Sequence, residues 1–266
     1  MPIFDEEVYR HHDRKLVAAG IACETVMNYF RLTAIPFCVC VSQLFTLSPS
    51  TLEAQTVNDT GQWLALFANG DVGSAEMGHQ LKWWFDGHAR FFDDAGGFGQ
   101  SIVRPGIGYA IGDSAAVAWA GYGWIRTSPA SNTDFDEHRV WQQITWSKNL
   151  DPATFGFRSR LEQRFLETGS DTGWRFRQLV SLRRPLECTS RLSLVVWDEL
   201  FIHLNDTDWG ANGGFDQNRV FVGFGLKCDP DSPHRVEVGY LNQYVNRSAG
   251  ADLSNHLLSI NFYWSS

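Results

Sequence analysis

The stretch RSRLEQRF, residues 158–165, constrains the fold of this chain more than any other. Arg158, Arg160, Glu162 and Arg164 fall in step, with Phe157, Leu161 and Phe165 between them. After a short polar gap, Trp174 and Phe176 alternate in the same way with Arg175 and Arg177. A period of two means a β-strand with one polar and one apolar face. Here both faces are strong at once. A soluble sandwich hides its apolar face and shows charge to water, whereas a membrane barrel turns apolar residues to lipid and charge inward.

The alternation runs through most of the chain. Strands are expected at about 61–70, 79–92, 99–111, 115–128, 136–149, 154–167, 173–186, 190–205, 215–228, 233–246 and 255–264, separated by Gly, Asp, Asn and Pro clusters such as IGDS, NLDPAT and CDPDSP. Short connections alternate with longer ones such as NDTDWGANGGFDQN, as in outer-membrane barrels. Eleven segments are read, but a bacterial barrel with both ends on one side needs an even number. The expectation is therefore an all-β, antiparallel transmembrane β-barrel of about 12 strands, with 10 as the next choice. With a mean hydropathy of -0.23 and no apolar run of about 18 residues, a spanning helix is not supported. A net charge of -8 argues against nucleic acid as the main partner. The 11 Trp and 14% aromatic content suit either interfacial belts or a large β core.

The start of the chain reads differently. Residues 32–47, LTAIPFCVCVSQLFTL, followed by SPSTLEA, look like the apolar and cleavage regions of a signal peptide, although Leu52 stands where a small residue is preferred. Residues 1–26 are too acidic for the basic leader of such a segment, whereas Met27 opens the short leader MNYFR. The expected organisation is an N-terminal extension plus cleaved signal peptide over 1–54, with translation starting at Met27, and a single barrel domain over 55–266. Of the five cysteines, only Cys188 and Cys228 then belong to the barrel, and pairing and free thiols are both open.

Strand parity sorts the side chains. Val220, Val222, Phe224 and Leu226 oppose Arg219, Gly223 and Gly225, while Val236, Val238 and Tyr240 oppose Arg235, Glu237 and Gly239. The polar face collects Arg139, Arg158, Arg160, Glu162, Arg164, Arg175, Arg177, Glu199, Arg219 and Glu237. These are the expected lumen-lining and ligand-contacting residues. Buried charges must pair, and Arg forms bidentate pairs with carboxylates, so one reading is a structural network across a narrow lumen. The other is a path for small anions, because Arg outnumbers Glu in the set.

Six ordered stretches carry a resemblance: VRPGIGY at 103–109, EHRVWQQ at 137–143, RSRLEQRF at 158–165, WDELF at 197–201, FDQNRVFVGFG at 215–225 and VEVGYLNQ at 236–243. Together they resemble the bacterial family called domain of unknown function 2490. The resemblance implies an outer-membrane β-barrel and assigns no activity, ligand or catalytic residue. The expected partners are outer-membrane lipid, the barrel-assembly machinery that reads an aromatic last strand (Leu258, Ile260, Phe262, Trp264), and a small anionic solute. No cofactor, metal or catalytic residue is expected. The histidines are scattered without a clear Ser/His pairing, and Asp206, Asp208 and Asp216 lack the spacing of a helix–loop–helix calcium site. A lipid-modifying hydrolase and a soluble exported β protein stand as alternatives.

Overall fold

The computed structural model describes residues 56–73, 80–92, 97–112, 114–129, 133–187 and 189–266. The extension, the signal segment and the start at Met27 all lie outside the described residues, as does Cys188. Cys228 is a free, exposed thiol. The chain divides into a barrel unit, Ala54–Pro185 with Arg191–Ser266, and a second unit, Met1–Glu53 with Leu186–Ser190. In the second unit, only residues 186, 187, 189 and 190 are described.

The strands are β1 Thr56–Asp71, β2 Leu81–Phe92, β3 Gly97–Ala110, β4 Ala116–Thr127, β5 Phe135–Leu150, β6 Ala153–Leu166, β7 Thr172–Leu186, β8 Thr189–His203, β9 Gly214–Lys227, β10 Arg235–Val245 and β11 Asp252–Ser265. Each strand neighbours the next in sequence, and β1 closes the barrel against β11. The described elements are all strands, and their positions follow the alternation read from the sequence.

The expected count of 12 is corrected to 11. The even-number argument assumed that every neighbouring pair is antiparallel. With an odd number, the first and last strands of an up-and-down meander run in the same direction, so closure requires one parallel pair. That pair is β1–β11, in register from Thr56↔Asp252 to Asn69↔Ser265. Closure leaves no open sheet edge, which a barrel in hydrocarbon cannot tolerate.

We call the end with the 204–213 loop the upper end and the end with the 151–152 turn the lower end. Gly214, at φ 114°, opens β9 in a conformation that disfavours any side chain. Gly223 and Gly239 sit opposite each other on β9 and β10. A Cβ on either would collide with the tip of the Phe221 ring and with the neighbouring strand's carbonyl. The ring therefore lies over a glycine pair, filling the space that two side chains would have taken.

The β2–β3 pairing shifts register at Arg90/Phe91 and the β8–β9 pairing at Phe201/Ile202. In the β8–β9 pairing, Phe201 faces Gln217 and Ile202 faces Phe215, leaving Asp216 as the extra residue of a bulge.

Candidate functional site

The interior is charged and the outer wall apolar. Arg139, Arg160, Glu162, Arg175, Arg177, Glu199, Arg219 and Glu237 are buried, and Arg158 and Arg164 nearly so. Outside, Val222, Phe224, Leu226, Val238, Leu258 and Phe262 are exposed. This inverts the pattern of a soluble barrel.

Glu162 is the hub. It accepts from Arg175 Nη2 at 2.7 Å and from Arg177 Nη1 at 2.6 Å, with Arg139 at 3.7 Å and Arg160 at 3.8 Å. Glu137 accepts from Arg139 at 2.6 Å and from Arg164 at 2.5 Å. Glu199 takes Arg158 and Arg177, both at 2.7 Å. Glu237 accepts from Arg235 at 2.7 Å, apart from the others. The ten residues expected from the sequence thus all belong to the interior, and eight of them join one network. Glu237 and Arg219 stand outside it. Although Arg219 pairs in register with Glu199, its Nη2 donates to the amide oxygen of Gln217 at 3.1 Å.

Three interior features lay beyond the sequence reading. Asp86 receives Arg104 Nε at 2.7 Å and contacts His88 at 2.8 Å; residues 86, 88 and 90 carried the same period-two signal. Asp216 meets Arg175 at 3.1 Å and His203 at 3.4 Å. Its parity matches the outward Asn218 and Val220, so only the bulge turns it inward. Apolar side chains also share the charged interior: Trp63, Val195, Phe221, Leu241 and Leu257 form a buried cluster.

Aromatic rings link the charges. The Arg90 guanidinium carbon lies 3.9 Å from the Trp63 ring centroid, and that of Arg219 lies 4.9 Å from the same ring. Arg219 and Arg177 both lie 4.5 Å from the Phe201 ring, and Arg160 lies 4.6 Å from Trp141. This layer divides the lumen. Below it is a cavity of about 380 Å³, reaching Arg183, Arg235 and Tyr263. Above it is one of about 850 Å³, reaching Arg139, Arg164 and Arg247. Trp63, Arg90, Arg104, Arg177 and Arg219 line both and form the waist.

Part of the outer wall is polar toward the upper end. Asn218 donates to Asp198 at 2.9 Å, and Gln142 and Gln163 exchange bonds of 3.1 and 3.0 Å. Tyr240 hydrogen-bonds His256, which also meets Asn58 at 3.3 Å. These groups satisfy one another across strands. Among the described residues no serine hydroxyl bonds an imidazole.

The upper loops are clasped together. Asp208 accepts from Ser170 N at 2.8 Å, Ser170 Oγ at 2.7 Å and Asp171 N at 3.1 Å, while Asp208 N donates to Asp171 at 2.8 Å. Asp206 accepts from Gly213 N at 2.7 Å, and Asp216 points into the lumen, so these three acids do not converge. The Ser170 amide, followed by its hydroxyl and the Asp171 amide, holds the Asp208 carboxyl below the ordinary carboxylate value. A lowered value means the clasp is fully made above the ordinary range and is lost as pH falls through the lowered one. Amide-exchange protection at Ser170 and Asp171 is therefore expected to persist through the ordinary carboxylate range and fail only below it. Loss at the ordinary value would contradict this.

A closed β-barrel with a charged interior and an apolar wall is the class that fold and site define. Within it, the chain belongs to the family described as protein of unknown function (DUF2490), whose model matches residues 60–255. An uncharacterised protein of Methylorubrum extorquens is 32% identical over 212 residues, covering 79% of this chain and 89% of that one. Among solved structures, the chain is similar to the outer-membrane expressed OmpT of Vibrio cholerae, with 15% identity and a TM-score of 0.36, covering 62% of this chain and 55% of that one. The chain thus spans little more than half of that structure's length. It is also similar to LpxR from Salmonella typhimurium, with 9% identity and a TM-score of 0.39, covering 66% and 81% of the two chains.

Proposed function

We propose that this protein is an outer-membrane β-barrel whose Arg-rich lumen admits small anionic solutes and narrows at the waist to an anion-selective path. The observation that carries the reading is the double inversion of the wall: apolar residues outside, and inside a surplus of arginine over carboxylate facing two cavities. The apolar exterior suits lipid. The aromatic last strand, with exposed Leu258, Phe262 and Trp264, suits recognition by the barrel-assembly machinery. Inside, arginines whose carboxylate partners are already shared keep net positive charge along the path, which favours anions and repels cations.

The protein is expected to fractionate with outer membranes and to show heat-modifiable mobility on a denaturing gel. Recovery in the soluble periplasm without detergent would overturn the membrane reading. In a planar bilayer under a potassium chloride gradient, the reversal potential should take the sign of chloride preference. Cation preference, or no conductance at all, would overturn the pore.

A further inference from the structure

We propose that the waist holds a specific binding site for a small oxyanion, of phosphate or sulfate type, between Arg90 and Arg219 beside the Trp63 ring. The inference rests on the reading of the lumen as an anion path and names where along it an anion would dwell. The waist arginines divide into two kinds. Arg104 gives Asp86 two contacts, at 2.7 and 2.5 Å, and Arg177 is shared by Glu162 and Glu199. Their charges are matched. Arg90 and Arg219 have no carboxylate within ion-pair distance among the described residues. Each makes its side-chain hydrogen bond to an amide oxygen, Gln100 at 2.8 Å for Arg90 and Gln217 at 3.1 Å for Arg219, with Glu199 and Asp216 acting on Arg219 only from beyond ion-pair distance.

Both side chains are more than nine-tenths buried, being 7% and 8% exposed. Two buried guanidinium groups over one indole ring repel each other and have lost most of their water, a costly arrangement unless something negative joins them. Each also keeps an unused donor. Arg90 Nε, Arg219 Nε and Trp63 Nε1 are all buried without a hydrogen-bond partner. All three side chains line both cavities. Arg160 offers the contrast: its Nη1 and Nη2 also lack a hydrogen-bond partner, but Nη1 lies 3.8 Å from Glu162, and the side chain lines neither cavity and lies packed on Trp141. An anion from either mouth reaches Arg90 and Arg219, not Arg160. Guanidinium and indole N–H groups are donors only, so the ligand must bring acceptor oxygens, and its charge must be negative.

The test uses the full barrel in detergent, with inorganic phosphate or sulfate titrated against chloride at fixed ionic strength. The unfolding midpoint in urea should rise with phosphate or sulfate, as for any ligand that binds the folded state alone, while isothermal calorimetry shows saturable binding. Arg90→Gln and Arg219→Gln should each weaken that binding at least tenfold. Arg126→Gln, which removes the same charge from an exposed pair with Asp134 and Asp136, should leave it unchanged. Arg90→Lys, which keeps the charge but loses the Nε donor, serves if the glutamine variants fail the heat-modifiability check, and it too should bind more weakly. A response equal in chloride, or binding undiminished in these variants, would overturn the site. Failure of the broader reading looks different: a barrel that binds phosphate but never conducts retains the site and loses the pore, whereas conduction without phosphate binding retains the pore and loses the site.

Discussion

Replacing Glu162 with alanine is expected to destabilise the barrel by about 3–5 kcal/mol, the range for removing one partner of a buried ionic cluster. Four arginines face this one carboxylate, and the loss falls on them unequally. Arg139 keeps Glu137, Arg175 keeps Asp216 and Arg177 keeps Glu199. Arg160 keeps only the amide oxygen of Gln143 at 2.8 Å, although it is fully buried. The deletion thus strands one cation and leaves three others sharing fewer acceptors. Arg164→Ala removes a cation from Glu137, which Arg139 still neutralises with two bonds, so its cost should be clearly smaller. Urea unfolding of both variants in detergent micelles measures the difference. Equal and negligible losses would mean the network is hydrated and exerts little constraint.

That asymmetry was partly legible in the sequence, because the alternating segments already showed carboxylates as the scarcer partner. Strand positions were legible for the same reason: a wall with lipid-type residues on one side and charge on the other repeats every two residues, and few other folds demand it. What parity could not give was anything that breaks parity. Asp216 is inward only because of the bulge opposite Phe201 and Ile202, and no local residue pattern announces it. The strand count failed on a different point. Whether β1 closes against β11 in parallel is decided by long-range pairing, to which alternation within each strand is blind. The mixed interior is legible only in part: Phe201, Phe221 and Leu241 have the same parity as Glu199, Arg219 and Glu237, but parity alone does not say that an apolar side chain shares the charged face. In a narrow barrel the part of the lumen between the two cavities is packed, and rings beside guanidinium groups fill it better than charges alone.

Direction of facing separates a membrane barrel from a soluble one most sharply, and Phe224 and Val238 test it together. They are register partners on β9 and β10, 52% and 42% exposed on the outer wall. If that wall meets hydrocarbon, Phe224→Arg and Val238→Arg should each cost about 2–4 kcal/mol near the bilayer midplane and less toward either edge. Folding into liposomes followed by urea titration gives the number. On a water-facing wall the same changes would be close to neutral, since neither residue is packed. Gly223 and Gly239 point the other way, against Phe221, and alanine there should disturb the interior or its conductance instead of insertion. Spin labels at 224 and 238 should relax strongly with oxygen dissolved in lipid, whereas labels at the inward Phe221 and Leu241 should not. Accessibility at 221 with protection at 224 would mean that the wall faces the other way, and the Arg/Glu interior with it.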